Sequence, residues 1–385
     1  MSFVDSLIFP VSRSQKLLLD VQRSCVHGRA PTLCASFLAA SVALGCGGQG
    51  TTTRDRGAAP GPGGAPPGAA SVSQWQAPAE IEPGSPVAQF GQLRVEGSAL
   101  VDQSGSPVQL KGVSTMWLNW EQNYADSKSG LRWLRDNWGL RVVRAAMGVE
   151  PQGAYLQNPE LMINQVRAVV HNAIDLGVYV IIDWHDHTGQ MHQDQAIDFF
   201  SRMAEEFGQY PNVFYETYNE PMQVSWPLVL KPYHVAVSAA IRERDPDNVI
   251  IMGTPVWSQE VNRAADDPVP GTNLMYTVHF YSCTHGAPQR AQAIYAHDKG
   301  TPIFVTEWGA TTANGGTDPN GRVCTDEAQA WHDFMDQAGI SWTAWKLAAC
   351  PDLSCLFKAQ APTDGGWTDE WLYGHGPFVR DRMRE

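Results

Sequence analysis

The sequence predicts a single (β/α)8 barrel, in which eight parallel strands close on themselves inside a ring of helices. Three observations predict it. Eight short runs rich in Val, Ile, Thr and aromatic residues recur over the last 300 or so residues, with mostly helix-patterned stretches between them. Two carboxylates, Glu220 and Glu307, each close one of these runs about 90 residues apart, where a barrel would hold them facing each other.

The elements follow in order. Val108–Ser114 is the first run and Val142–Met147 the second. A helical pattern over Leu161–Leu176 leads to the third, Tyr179–His185, and another over Gln195–Phe207 leads to the fourth, Val213–Asn219, which runs directly into Glu220. Val249–Thr254, Met275–Tyr281, Ile303–Glu307 and Ser341–Leu347 complete the set. An open doubly wound sheet uses the same alternation, but no Gly-x-Gly-x-x-Gly turn follows the first strand, so a dinucleotide site is not indicated. About 300 residues suffice for one ample core, and neither an internal repeat nor a second folded domain is evident.

The first 86 residues read differently. Arg23, His27 and Arg29 precede an apolar stretch, Leu33 to Leu44, followed by Gly45-Cys46-Gly47-Gly48; this is a signal-peptide pattern, too short for an ordinary spanning helix. Val42-Ala43-Leu44-Gly45-Cys46 resembles a bacterial lipobox, in which the cysteine is lipidated after cleavage before it, although Leu44 stands two before the cysteine. An ordinary soluble secretion signal is the alternative. Residues 47–86 are dominated by Gly, Ala, Pro, Thr and Ser and are expected to form a disordered tether. The divisions are therefore a leader at 1–46, a linker at 47–86 and the barrel at 87–385.

Composition narrows the partner. With 27 Lys plus Arg against 40 Asp plus Glu the net charge is −13, which argues against nucleic acid. The 14 tryptophans are more informative, because Trp117, Trp120, Trp184, Trp226, Trp257, Trp308 and Trp345 fall at or just after strand ends, the active face of such a barrel. An indole matches the C–H face of a pyranose and its N–H reaches a hydroxyl. About half of these seven are expected to pack the core instead, Trp184 and Trp308 first. Of seven cysteines, Cys25 and Cys34 would leave with the leader and Cys46 would take lipid. Cys283, Cys324, Cys350 and Cys355 remain, an even number that suits export and disulfides. Neighbouring loops could bring Cys283 to Cys324, and Cys350 with Cys355 would then staple the loop after the eighth strand; a zinc site lacks its paired Cys-x-x-Cys knuckles.

Beyond these patterns, the order and spelling of a dozen motifs resemble glycoside hydrolase family 5, and within it the bacterial endo-β-1,4-glucanases of subfamily 2. The resemblance runs from about Gln92 to Arg380 and includes Lys111-Gly112-Val113-Ser114, Arg144-Ala145-Ala146-Met147, Asp183-Trp184-His185, Asn219-Glu220-Pro221, Trp257-Ser258-Gln259, His279-Phe280-Tyr281 and Thr306-Glu307-Trp308-Gly309. It implies a retaining hydrolase of cellulose or related β-glucans; the expectation is a monomer without cofactor or metal, which the leader would send to the outside or hold at the cell surface as an outer-membrane lipoprotein. It differs from those relatives at Met116-Trp117, where many carry His-Gly, and in the loop Ala348–Cys355. Mannan or mixed-linkage glucan therefore stay open as substrates. A barrel that only binds polysaccharide is a further alternative, against which the joint presence of both acids with Asn219 and Arg144 weighs.

The resemblance also implies roles. Glu307 would be the nucleophile, which must be ionised and so calls for a cation, Arg144, with Tyr281 donating to the same carboxylate. Glu220 would be the acid/base; it is expected to stay protonated through partial desolvation and a neighbouring negative charge, tuned by His279. Asn219 would reach the sugar 2-hydroxyl, His185 a neighbouring hydroxyl, and Trp345 would floor the sugar being cleaved, with Trp120 and Trp257 as further binding residues. Asp183 and Glu216 also lie on strands but before their ends, so they are expected in the barrel layers. A metal reading of His185, His187 and His192 is weaker, because later strands end in Glu, Tyr, Glu and Trp.

Overall fold

The computed structural model describes residues 75–314 and 321–385. The expected leader, the lipobox at Cys46 and most of the tether lie outside the described residues. The barrel is as expected: eight parallel strands close on themselves, each neighbour paired in chain order and the last returning to the first. They are β1 (Lys111–Thr115), β2 (Val142–Gly148), β3 (Tyr179–His185), β4 (Val213–Glu216), β5 (Ile250–Met252), β6 (Leu274–Tyr281), β7 (Ile303–Gly309) and β8 (Ser341–Leu347). β4 and β5 are shorter than the sequence suggested. Beyond them the chain leaves the ladder ahead of Pro221 and Pro255, which have no N–H to donate.

Alternation along each strand separates two cores. On β3, Val180, Ile182 and Trp184 pack outward in one cluster with Phe199 and Phe200 of the helix Gln193–Phe207. Tyr179 and Ile181 face the other way, in a cluster with Val142, Phe214, Ile251, Met275 and Phe304 that plugs the barrel interior. The helix Pro159–Leu176 shows why the outer layer is helical: Met162, Ile163, Val166, Val169, Val170 and Ala173 recur at three- and four-residue spacing and are buried. It ends at Gly177, whose φ of 59° is the left-handed value a C-terminal cap requires.

The amino-terminal edge differs from expectation. Residues 75–86 were assigned to the tether, yet Trp75 stacks on His171 at 3.8 Å and 4°, and its indole N–H donates to Asp175 at 3.2 Å. Glu82 accepts from Arg132 and Arg135, whose hydrogen bonds bring its carboxyl down to about 2. One aromatic and one acidic side chain thus attach a segment whose composition reads as linker. A helix, Pro86–Phe90, and a two-stranded hairpin, Arg94–Glu96 with Ala99–Val101, follow and send Val87, Leu93 and Leu100 into the interior cluster. Three-residue strands carry too little alternation to be read in advance. Both expected disulfides form, Cys283 with Cys324 and Cys350 with Cys355.

Two fully buried histidines lock loops at the strand ends. His234 lies 2.8 Å from the Thr217 hydroxyl and donates through Nε2 to the Gly253 carbonyl, while His375 donates to the Ser354 carbonyl and accepts from the Ala310 N–H. Burial holds each at about 4, below the ordinary 6.5. An unfolded chain therefore binds these protons first as pH falls. The stabilisation is complete above pH 6.5 and is lost toward pH 4. Urea unfolding across that window should show a decline on the order of 3 kcal/mol per histidine; a flat profile would mean that these rings are not buried as neutral groups.

Candidate active site

The carboxyl ends of the strands bring the expected residues to one place, and Arg144 of β2 lies at its base. Its guanidinium is fully buried. Nε donates to Glu216 at 2.7 Å, Nη1 to Glu307 at 3.0 Å and Nη2 to Asn219 Oδ1 at 2.6 Å, with Asp183 2.9 Å from Nη2. Burial disfavours this charge, but the carboxylates of Asp183, Glu216 and Glu307 outweigh it and raise the pKa of Arg144. Asp183 and Glu216 do sit in a barrel layer, below the strand ends. They are nonetheless part of the site, because they hold the cation that meets Glu307.

The two acids at the rim have different company. Both oxygens of Glu307 are taken by donors, Oε2 by Arg144 and Oε1 by the Tyr281 hydroxyl at 2.5 Å. Glu220 instead lies between imidazoles, with His279 Nδ1 2.9 Å from Oε1 and His187 Nε2 3.1 Å from Oε2. Burial pushes Glu220 upward, but these two rings hold it well below the usual carboxylate range. This corrects the expectation of a protonated Glu220 beside a negative charge: its contacts are basic groups. Burial opposes a charged His279, yet bonds to Glu216 and Glu220 raise it to about 9. His279 Nε2 is 2.9 Å from the Thr306 hydroxyl, which itself donates to Glu216 at 2.7 Å and so accepts from Nε2–H. That fixes the Nε2 proton. The remaining proton of the pair lies between His279 Nδ1 and Glu220 Oε1.

The other binding candidates surround this pair. His185 is buried, with Nδ1 2.6 Å from Asp183, and its ring is parallel to Trp345 at 5.3 Å and 6°. Burial and the charge of Arg144 keep His185 neutral, and its Nε2 has no partner among the described residues. Trp345 is buried with Trp117, Ala146 and Tyr281 in a small cluster beside the acids. Trp120 is 57% exposed, a surface suited to a sugar face. Trp184, Trp226 and Trp308 belong to the core, in line with the expected division. Trp257 lines a cleft of about 390 Å³ together with Glu220, His279, Tyr281, His187 and His285.

Trp257 is held there by an unusual turn. Val256, Trp257 and Ser258 have φ of 59°, 54° and 56°, left-handed values that non-glycine residues rarely adopt in succession. Backbone bonds from Val256 to Met222 and from Trp257 to Pro221 hold it, as does the Ser258 hydroxyl, which donates to the Asn219 carbonyl at 2.6 Å. The segment therefore braces the loop that carries Glu220. Neither the bracing role of Ser258 nor the partnership of His187 with Glu220 is legible in the sequence, where His187 reads only as a metal ligand. His185, His187 and His192 face Asp183, Glu220 and Asp186 respectively rather than one point. Atoms of Glu220, His279 and Glu307 do lie within 4.8 Å of one another. Those atoms are engaged by one another, Arg144 and Tyr281, and a buried guanidinium 3.0 Å from Glu307 makes poor surroundings for a cation.

Two carboxylates facing each other at the mouth of a (β/α)8 barrel are the arrangement that glycoside hydrolases use. A family model described as cellulase (glycosyl hydrolase family 5) matches residues 101–350. The chain belongs to that family. An endoglucanase of Clostridium saccharobutylicum is 46% identical over 294 residues, 75% of this chain and 64% of that relative, so the chain spans less than two thirds of its length. A solved structure from Cytophaga hutchinsonii superposes with a TM-score of 0.74 at 42% identity, covering 78% of this chain and 96% of that one. The catalytic domain of a Thermobifida fusca endoglucanase in complex with cellotetraose gives a TM-score of 0.71 at 30% identity, over 78% and 100% of the two chains.

The network around Arg144 makes a stability prediction. Lysine keeps the charge but cannot reach Glu216, Asn219 and Glu307 together, so it leaves buried acceptors without donors. Arg144→Lys should lower the unfolding free energy by about 3 kcal/mol or more in a denaturant titration. An unchanged midpoint would show that the guanidinium is not what balances these acids.

Proposed function

We propose that this protein is a retaining endo-β-1,4-glucanase of subfamily 2 that cleaves internal bonds of cellulose or related β-glucans by double displacement. The observation that carries the reading is the approach of Glu220 and Glu307, one oxygen of each lying within 4.8 Å of the other. Retention needs carboxyl groups about 5–5.5 Å apart, whereas inversion needs about 6.5–9.5 Å to seat a water between them. In the first step Glu307 attacks the anomeric carbon from the α face while Glu220 protonates the departing oxygen. In the second, Glu220 takes a proton from water, which displaces Glu307.

The surroundings support these roles. Arg144 and Tyr281 aim Glu307 at a fixed point, and the bond from Arg144 to Asn219 Oδ1 orients the Asn219 amide, whose N–H₂ group also neighbours His187, to offer an N–H to the sugar 2-hydroxyl. His185 offers its unpartnered Nε2 to a neighbouring hydroxyl above Trp345. His279 hands the shared proton to Glu220 when the leaving oxygen begins to take it. The bound cellotetraose of the Thermobifida relative supports a β-glucan substrate. Met116, partly buried beside the site, and the loop Ala348–Cys355 bear on the choice between cellulose, mixed-linkage glucan and mannan.

Reducing-sugar release from carboxymethylcellulose, mixed-linkage glucan and mannan tests the activity, with cellulose derivatives expected to be cleaved with or without chelator. Removing either acid separates the two roles. Glu307→Ala should abolish turnover of every natural substrate, since no glycosyl-enzyme can form. Glu220→Ala should keep the first step on dinitrophenyl cellobioside, whose leaving group departs without a proton. Azide should then yield the β-glycosyl azide from the Glu220 variant and the α-azide from the Glu307 variant. Reversed stereochemistry would exchange the assignments, and rescue of neither would remove both.

We further propose export, with the mature chain beginning at a lipidated Cys46. Two disulfides support an oxidising compartment. Stable anchoring takes two or more acyl chains. Cys46→Ser should therefore move the protein from the membrane fraction to the soluble one, and unchanged partitioning would end the lipobox reading.

A further inference from the structure

We infer that His187 is a positioning residue for Glu220, and that it links the ionisation of this acid to the availability of the Asn219 amide. His187 follows β3, and its Nε2 lies 3.1 Å from Glu220 Oε2 and also 3.1 Å from Asn219 Nδ2. Asn219 cannot turn its amide around, because Arg144 donates to its Oδ1 at 2.6 Å. Asn219 therefore presents only N–H to His187. A single ring nitrogen cannot serve both neighbours in one protonation state.

Two arrangements follow. With a proton on Nε2, His187 donates to ionised Glu220 and has no lone pair for Asn219, whose N–H is left without that acceptor and open to a ligand. Without that proton, Nε2 accepts from Asn219, or from Glu220 once the acid is itself protonated. The same proton thus decides the state of the acid and the partner of the amide. The other groups facing the ring are Glu150 from the end of β2, with Oε1 3.9 Å from Nδ1, and His185, edge-on at 5.0 Å. His279 and Glu307 act across Glu220. Burial disfavours the charged ring, but Glu220, Glu307 and Glu150 together raise its pKa.

The ring plane is set from outside. Trp117 stacks on His187 at 4.8 Å and 11°, and exposed Trp120 stacks on Trp117 at 4.8 Å and 19°. Trp117 is buried between protein rings, which makes it a support for His187 and not a sugar platform.

The inference rests on the hydrolase reading, and its test separates the two. The pH dependence of kcat/KM is measured for wild type, His187→Gln and Trp117→Leu on phenyl and dinitrophenyl β-cellobiosides. Loss of a titratable cation beside Glu220 raises the acid's proton affinity, so the alkaline limb should move up by about one pH unit in His187→Gln. Turnover of the phenyl substrate should fall about tenfold, with the dinitrophenyl substrate within about twofold. Trp117→Leu leaves every hydrogen bond at Glu220 in place and should show the same pattern at smaller size, which keeps the test intact if the glutamine variant fails to fold. Limbs that superimpose, with equal losses on both substrates, would overturn the inference and leave the hydrolase reading standing. A wild-type protein that cleaves neither cellobioside would remove that reading and the inference with it.

Discussion

The buried Arg144 guanidinium is the reference point for this site, because a charge out of water must be met on every side by acceptors of matching geometry. Those acceptors come from β3, β4, the loop after β4 and β7: Asp183, Glu216, Asn219 and Glu307. Together these contacts tie three strands and one loop to a single planar group. Moving any of these strands lengthwise would leave either the cation or a buried carboxylate unpaired. The apolar plug beneath, built from Val142, Ile181, Phe214, Ile251 and Phe304, excludes water from below and so makes that constraint strict.

The same constraint explains how two glutamates in one cleft come to differ. Glu307 receives its hydrogen bonds from an arginine and a tyrosine, neither of which gives up a proton near neutral pH. Glu220 receives its contacts from His279 and His187, which do. This difference suits the proposed roles, because a nucleophile needs a fixed direction whereas an acid/base needs a proton that can return. Thr306 and Glu216 complete the second arrangement by holding the far nitrogen of His279, so that only the proton facing Glu220 is free to move.

Rigidity at the rim comes from contacts made elsewhere in the chain. The left-handed turn at Val256–Ser258 is locally unfavourable and persists because three bonds join it to Asn219, Pro221 and Met222. On the opposite wall, the rings of Trp117 and Trp120 reach His187. Glu220 is therefore braced through its backbone by one loop and through its imidazole neighbour by another.

Much of this was legible in the chain itself. Short runs rich in Val, Ile, Thr and aromatic residues placed the eight strands, with β3 and β8 matching to the residue, and the resemblance of motifs on and after them marked Arg144, Glu220, Tyr281 and Glu307. Strand order also brought together the four cysteines. These features are set by residues close in sequence, which a linear reading can see. The tertiary structure alone decided the rest. Trp75 and Glu82 belong to the barrel only because His171, Asp175, Arg132 and Arg135 stand opposite them. The hydroxyl of Ser258 matters through a carbonyl 39 residues away, and His187 through an acid 33 residues on that the fold turns back toward it. Whether Glu220 rests charged or neutral is likewise a property of its neighbours in space. Burial and paired charge act over a few ångströms in three dimensions, and no pattern along the chain records that distance.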